Sequence, residues 1–455
     1  MLKTKFPPLF LRDMQELLGE EYDAYIASLG ERPLSGLRVN TLKTEPALVT
    51  EHFGAMEQVP WTENGFYISE DGGFTRHPYY YAGLYYIQEP SAMSSAALLG
   101  TQPGEKILDL CAAPGGKTTQ IGADLRGKGV LISNDLSASR AKALLKNIEL
   151  MGIGNACVSC EESGRLAEEF PLYFDRILVD APCSGEGMFR KHPAVMRAWI
   201  EHGKDFYCPV QKKLLEDAAV MLKPGGTLLY STCTYNRRED EDQILHFLEA
   251  HPDFSLDPIP PRSGFTASWL LPGCVRLFPH RAMAEGHFVA RLKKSGTEGI
   301  SDAAQCVFRD AAHTRPKKNS GPGDLEAFFQ KAAFHPDPAR ISVQGEYILL
   351  LPEGDAVRPG LRYLRTGLLL GQLKNGRFRP SQALAMFLRS AQWEDPVDLP
   401  SDSPEVRRYL KGESIDAPDA GKGIRLLCTD GFPLGFVKQD RARLKNMYLP
   451  GWRMQ

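Results

Sequence analysis

Two short cysteine-bearing turns and one glycine-rich loop hold residue types on which covalent chemistry can be built. Asp180-Ala181-Pro182-Cys183-Ser184-Gly185-Glu186-Gly187 and Ser231-Thr232-Cys233-Thr234 each follow an apolar run. So does Asp109-Leu110-Cys111-Ala112-Ala113-Pro114-Gly115-Gly116-Lys117-Thr118. A thiolate adding to carbon 6 of cytosine makes carbon 5 enamine-like, able to take a methyl group from a sulfonium. Asp180 in such a site can hydrogen-bond the ring nitrogen and amino edge as charge builds. A base must then remove the carbon-5 proton so that the thiol can leave. A cysteine at an apolar strand end is usually an inert core residue. Two of them, each in a glycine-rich or hydroxyl-rich turn, shift the balance towards reactivity. Spacing alone does not rank the two thiols.

The loop Cys111 to Lys117 follows a strand and opens a helix, so its glycines let the backbone turn tightly against a ligand. Gly116-Lys117-Thr118 mimics the end of a phosphate-binding P-loop, but that motif needs a glycine where Cys111 stands. An acid closes the next strand: Asp135 lies 26 residues after Asp109, near the separation at which such folds bind a ribose. A simple helix cap at Asp135 remains the alternative reading. Cys157-Val158-Ser159-Cys160 is a lone pair of cysteines and reads as a buried strand, with no metal expected.

The elements that must position these residues alternate along the chain. Lys106–Cys111, Gly129–Asp135, Arg176–Asp180 and Gly226–Thr232 are continuous apolar strands, the pattern of a parallel sheet buried on both faces. Between them lie helical patterns, one opened by a Ser137 cap with Ala141, Leu144, Leu145, Ile148 and Met151 at helical spacing. Another helix ends at Lys223-Pro224-Gly225-Gly226. The class is α/β, a doubly wound, mostly parallel sheet, with ligands expected at the carboxyl ends of its strands.

The organisation expected is an N-terminal α+β segment over 1–76, the α/β domain over 77–294, a linker over 295–324, an intermediate segment over 325–390 and a small β-rich module over 391–455. The linker carries Arg315-Pro316-Lys317-Lys318-Asn319-Ser320-Gly321-Pro322-Gly323. Thr429-Asp430-Gly431 reads as a hairpin turn in the last module. A helical stretch is expected over Leu9 to Leu29. With 455 residues, 43% hydrophobic and 24% charged, the chain has material for several packed cores. No apolar run approaches the roughly 20 residues of a membrane span, and the N-terminus lacks the pattern of a secretory signal. Nine cysteines, an odd number spread over the chain, suit a reducing cytoplasm better than a disulfide framework. A net charge of −2 excludes a uniformly basic coat and leaves local basic surfaces open.

These motifs resemble the NOP/Sun family of RNA cytosine-5 methyltransferases, most closely its bacterial RsmF-like branch, over nearly the whole chain. The resemblance implies a Rossmann-like class I methyltransferase domain, S-adenosyl-L-methionine as cofactor and a PUA-like C-terminal module. It makes Cys233 the nucleophile and gives Cys183 the task of assisting product release, with Asp180 beside them. It draws cofactor contacts from Cys111, Ala112, Ala113, Pro114, Gly115, Gly116 and Lys117, from Asp135 and Asp180, and from an acid after the third strand. That last position departs from the usual Asp. Counting back from Asp180 favours Glu162, with Glu161 open.

On the RNA side, Arg190 and Lys191 directly follow the Pro-Cys turn and are expected to meet phosphate. Arg197, Lys204, Lys212 and Lys213 lie nearby, the last two read as a solvated helix face. Arg38-Val39-Asn40-Thr41 matches the family's N-terminal segment, read as an RNA-contacting arm through Arg38. Gly431–Lys438 resembles the PUA-like module, and five basic residues face one acid from Val437 to Gln455. Leu373–Leu384 also fits the branch, though many relatives have His where Gln382 stands. The target base must leave its stack to reach a thiol. The expected partner is ribosomal RNA or the small ribosomal subunit, with no membrane, and a monomer is the expected state. Transfer RNA or large-subunit RNA is the alternative substrate, and a catalytically silent RNA-binding assembly factor the alternative class. A DNA cytosine methyltransferase fits less well, because that group takes its nucleophile from the Pro-Cys motif.

Overall fold

The computed structural model describes residues 5–203, 205–296, 323–418 and 421–455. Lys204 and almost all of the expected linker, including its basic run, lie outside the described residues.

The parallel core forms where the sequence is continuously apolar. Its strands are β1 (Lys106–Asp109), β2 (Val130–Asn134), β3 (Ala156–Ser159), β4 (Phe174–Asp180) and β5 (Leu222–Thr232). Three more join the same sheet: β6 (Val275–Leu277), β7 (His287–Lys294) and β8 (Tyr363–Thr366). The order is β6-β7-β5-β4-β1-β2-β3-β8, with Thr266–Ala267 beyond β6 and Phe254–Leu256 paired to β7, making a 10-stranded sheet. From β3 to β5 all neighbours are parallel. Strands β7 and β8 run antiparallel at the two sides. The chain leaves β1 towards β2 and β3, then returns past it to β4 and β5. The crevice therefore opens at the carboxyl ends beside β1 and β4, where connections depart in opposite directions.

Helices cover both faces. Helix α1 (Gly116–Asp124) opens directly from the glycine loop, and α2 (Ala138–Leu150) starts at Ser137, whose hydroxyl accepts from the Arg140 amide at 3.4 Å. Ala141, Leu144 and Ile148 form its buried stripe. Further along come α3 (Ser163–Glu169), α4 (Pro193–His202), α5 (Cys208–Met221) and α6 (Glu241–Ala250).

At the N-terminus, the expected stretch Leu9 to Leu29 is two helices, Pro8–Leu18 and Tyr22–Ser28, because Gly19 takes a φ of 54° that ends the first. A three-stranded antiparallel sheet follows, with Ser35–Val39 in the middle. Two glycines allow close packing around the end of α2. A Cβ at Gly83, in the N-terminal segment, would lie 2.1 Å from the Leu150 carbonyl oxygen, and one at Gly152, just past α2, would lie 2.6 Å from that of Met386 in the C-terminal part.

The C-terminal part holds a four-stranded sheet (Ile341–Gln344, Tyr347–Leu350, Leu368–Lys374, Arg377–Pro380) and a five-stranded sheet containing the hairpin Lys422–Thr429 and Phe432–Asp440. The hairpin turns at Asp430 (φ 47°) and Gly431 (φ 82°), the left-handed pair expected of an Asp-Gly turn. Between the second and third strands of the four-stranded sheet the chain departs to supply β8 to the α/β sheet. No helix among the described residues is long and apolar enough to cross a membrane.

Candidate active site

Asp109 ends β1 fully buried. One carboxylate oxygen accepts from the Thr118 hydroxyl at 2.6 Å; Oδ1 has no hydrogen-bond partner among the described residues. Burial, opposed by that hydrogen bond, raises its pKa to about 7. The loop after it is held by its own backbone. The Ala112 amide donates to Asn134 O (2.8 Å), Arg140 donates to Ala113 O (2.8 Å) and Asn147 to Pro114 O (2.8 Å). Gly115 needs its φ of 111° at the start of α1. The Cys111 thiol is pushed up by burial and then by Asp109, Asp180 and Asp135, three carboxylates gathered around one turn.

Asp135 carries the cap that was the alternative reading: Oδ1 accepts from the Ser137 amide at 2.9 Å. Its other oxygen lies 3.3 Å from the Ala113 amide and 3.3 Å from Arg140, so the same carboxylate also fixes the glycine loop. At the end of β3, Glu162 is exposed and starts α3 without a side-chain cap. Glu161 is the buried acid, 6% exposed. It accepts from the Arg362 amide at 2.6 Å and its guanidinium at 3.1 Å. Of the two acids left open by counting, Glu161 is the one turned into the fold and Glu162 the one facing outward.

Strands β4 and β5 lie side by side with Asp180 opposite Ser231, and this register brings the two cysteine turns together. Cys183 and Cys233 stand with sulfurs 3.4 Å apart, and the Cys233 amide donates to the Cys183 sulfur at 3.4 Å. The hydrogen bond with Cys233, then burial, raises the Cys183 thiol well above its usual range, so Cys183 keeps its proton. Lys117 reaches across from α1 to pair with Asp180 at 2.7 Å, and Ser231 donates to the other oxygen at 2.8 Å. Burial pushes the Asp180 pKa up, but the Lys117 charge and these hydrogen bonds outweigh it and hold the carboxylate ionised.

Several residues of this centre were not singled out from sequence. His287, at the start of β7, is 3.0 Å from Ser95 Oγ and 3.9 Å from Asp180; burial and Lys117 lower its pKa to about 3, so it is neutral. Glu186 and Glu239 are buried carboxylates between the two cysteine turns. The acidic run Glu239-Asp240-Glu241 is buried: Asp240 takes the Thr232 hydroxyl (2.6 Å), and Arg276 bridges Asp240 and Glu241 from β6. Arg276 inside the short strand Val275–Leu277 was the available signal, a charge in an apolar run that demands buried partners.

The RNA-side expectations change most. Arg38 is 3% exposed and spends its donors on Gln88, Gly116 O, Gln120 and Thr119, so it props the start of α1 and does not reach phosphate. Asn40 likewise ties Gly83 and Met151, so this strand is an interdomain strut and not an arm. Arg190 is buried with Glu285 at 2.6 Å and donates to Ser28 O at 2.7 Å. A buried, paired guanidinium presents nothing to a backbone phosphate. Lys191 is half-buried beside it, 3.5 Å from Leu34 O. Arg197, Lys212 and Lys213 are exposed on α4 and α5. In the last module Lys438, Arg441, Arg443, Lys445 and Arg453 are all exposed. Gln382 is buried and donates to Leu434 O at 2.6 Å, joining the two C-terminal sheets.

Comparison with known proteins agrees along the chain. Residues 96–293 match the model of the 16S rRNA methyltransferase RsmB/F, and 6–90 that of the N-terminal domain of 16S rRNA methyltransferase RsmF. Residues 327–388 match the RsmF first C-terminal domain and 396–454 the RsmF PUA domain. Ribosomal RNA small subunit methyltransferase F of Escherichia coli O127:H6 is 32% identical, covering 97% of this chain and 95% of that one. The protein of the same name from Enterobacter sp. strain 638 is 33% identical with the same coverage. Among solved structures, a methyltransferase homolog protein from Pyrococcus horikoshii is 30% identical with a TM-score of 0.56, covering 64% of this chain and 97% of that chain. NSun6 from the same organism, solved with SFG, shares the fold at 20% identity, a TM-score of 0.56 and coverage of 64% and 99%. With matches from the N-terminal sheet to the final module, the chain belongs to the RsmF family of 16S ribosomal RNA methyltransferases.

Proposed function

We propose that this chain transfers a methyl group from S-adenosylmethionine to carbon 5 of a cytosine in small-subunit (16S) ribosomal RNA, through a covalent adduct with Cys233. The observation that carries this reading is the pair of thiols 3.4 Å apart beside an ionised Asp180 held by Lys117. The names of the relatives supply the RNA class.

The residues present fit the cofactor. Asp135 and Asp180, with the partly ionised Asp109 behind them, gather acidic groups around the Cys111 turn, which suits a cationic sulfonium. The loop Cys111 to Lys117, Asp135 and Glu161 would hold it at the ends of β1, β2 and β3. When bound, it supplies an electrophilic methyl group. Cys233 adds to carbon 6 of the flipped base, and Asp180 receives the amino edge of the cytosine, its charge balanced by Lys117. The influences that keep the proton on Cys183 come first from Cys233. Once the Cys233 sulfur is bonded to carbon 6, the influence that held the proton on Cys183 is gone; the Cys183 thiol gives that proton up to water, and the thiolate left behind takes the carbon-5 proton. Loss of that proton expels the Cys233 thiolate and frees the methylated base.

Outside the cleft, Lys191, Arg197 and the exposed bases of the last module offer phosphate contacts, with affinity falling as salt rises. The work is done in the cytoplasm, on ribosomal RNA or the small subunit. Transfer of labelled methyl to 16S RNA, small subunits and transfer RNA, followed by nucleoside analysis, tests the reading. Label in 5-methylcytidine from the ribosomal substrates is expected. Label in another nucleoside, or none despite cofactor binding, contradicts it.

A further inference from the structure

The two thiol-bearing turns are joined by carboxylates that reach in opposite directions. Glu186, on the Cys183 turn, accepts from the Tyr235 amide just beyond Cys233 at 3.1 Å, and from the Trp199 indole at 3.0 Å. Glu239, beyond the Cys233 turn, accepts from the Ser184 amide next to Cys183 at 3.0 Å, from Gln211 at 2.8 Å and from Asn236 at 3.1 Å. Between them Ser184 Oγ and Thr234 Oγ1 are 2.7 Å apart, and the Gly187 amide donates to Cys233 O at 2.9 Å. Glu186 is 5% exposed and Glu239 fully buried.

Packing alone does not account for two buried acids, because apolar residues of similar volume fill such space at lower cost. What the acids provide is directional. The Tyr235 and Ser184 amides and the Trp199 indole are fixed donors that cannot turn round. The Ser184 amide directly follows Cys183 and the Tyr235 amide lies just past Thr234 in the Cys233 turn, so the carboxylates determine how one turn lies against the other. We infer that Glu186 and Glu239 are positioning residues for methyl transfer, a reciprocal clamp that sets the distance and direction between the Cys233 and Cys183 sulfurs. This rests on the proposed roles of the two cysteines.

The test uses full-length Glu186→Gln and Glu239→Gln. In Glu186→Gln, whichever way the amide turns, its NH2 meets an N–H donor, so the turns must part. A sulfur displaced by about 1 Å costs on the order of a hundredfold in rate. The expected result is that loss in kcat, with the KM for RNA and the cofactor Kd unchanged. Thr234→Val removes the central hydroxyl link and its hydrogen bond to Glu186 while keeping both acids in place, and serves if the acid variants do not fold; a smaller loss confined to kcat is expected. A wild-type kcat in any folded variant, or parallel losses in kcat, KM and cofactor binding, would overturn the clamp. Cys233→Ala run alongside separates the failures. If it turns over normally, the thiol reading itself is wrong; if it is inactive while the glutamine variants are normal, only the clamp is wrong.

Discussion

At the scale of the residue, the site is a set of charges and thiols whose protonation is fixed by their neighbours. Cys183 holds its proton because Cys233 is beside it, and Asp180 stays ionised because Lys117 is. Cys233→Ala is expected to abolish methyl transfer while cofactor binding by calorimetry stays at the wild-type level, since the thiol acts only on the base. His287 gives a pH prediction. Its folded pKa is lowered to about 3 against 6.5 for the free side chain, so the unfolded chain takes up the proton first as pH falls. The stability contributed by the neutral ring is fully present above pH 6.5 and is lost progressively as pH drops towards 3. Urea unfolding at stepped pH should show this slope, and His287→Gln should flatten it. From sequence the two cysteine turns were legible as a pair because both are short and unusual, while the separate roles proposed for Cys233 and Cys183 came from the family resemblance. His287 was not, because a histidine opening an apolar strand looks like any core residue until β7 is known to lie beside β5.

At the scale of the element, the parallel strands and α2 were legible because apolar runs and a serine cap are local signals. The register that matters is not local. Asp180 opposite Ser231 is what puts Cys183 on Cys233, and no spacing within either strand states it. The same limit explains Arg38 and Arg190: one was read from a match to the family's N-terminal segment and the other from its place after the Pro-Cys turn, and only tertiary packing reveals Gln88, Thr119 or Glu285 around them. A direct consequence follows for Arg190. Its loss would leave Glu285 buried without a counter-charge, at a cost of roughly 3–5 kcal/mol. Arg190→Ala should therefore lower the denaturant midpoint of unfolding strongly, whereas Arg197→Ala, on the exposed face of α4, should leave it unchanged and weaken RNA binding.

At the scale of the whole molecule, the α/β domain is completed from outside itself. Its β3 edge is paired by β8, a strand contributed by the C-terminal part, and Arg362 at the start of that strand holds the Glu161 carboxylate. An open strand edge is otherwise a row of unpaired amides and carbonyls. Arg362→Ala should raise the Kd for S-adenosylmethionine several-fold, about 1 kcal/mol, because the freed Glu161 loses its orienting partner. An unchanged Kd in calorimetry would separate the C-terminal part from the cofactor site. This coupling was hidden in the sequence, where residues 325–390 read only as an intermediate segment and a strand of four residues pairs across 200 positions. The central claim is that one thiol bonds the base and the other releases it. Its most direct test is incubation of Cys183→Ala with RNA and S-adenosylmethionine, followed by denaturing electrophoresis. A slow-migrating protein–RNA band that disappears in Cys183→Ala/Cys233→Ala is predicted; no band in the single variant, or the same band in the double one, would contradict the account.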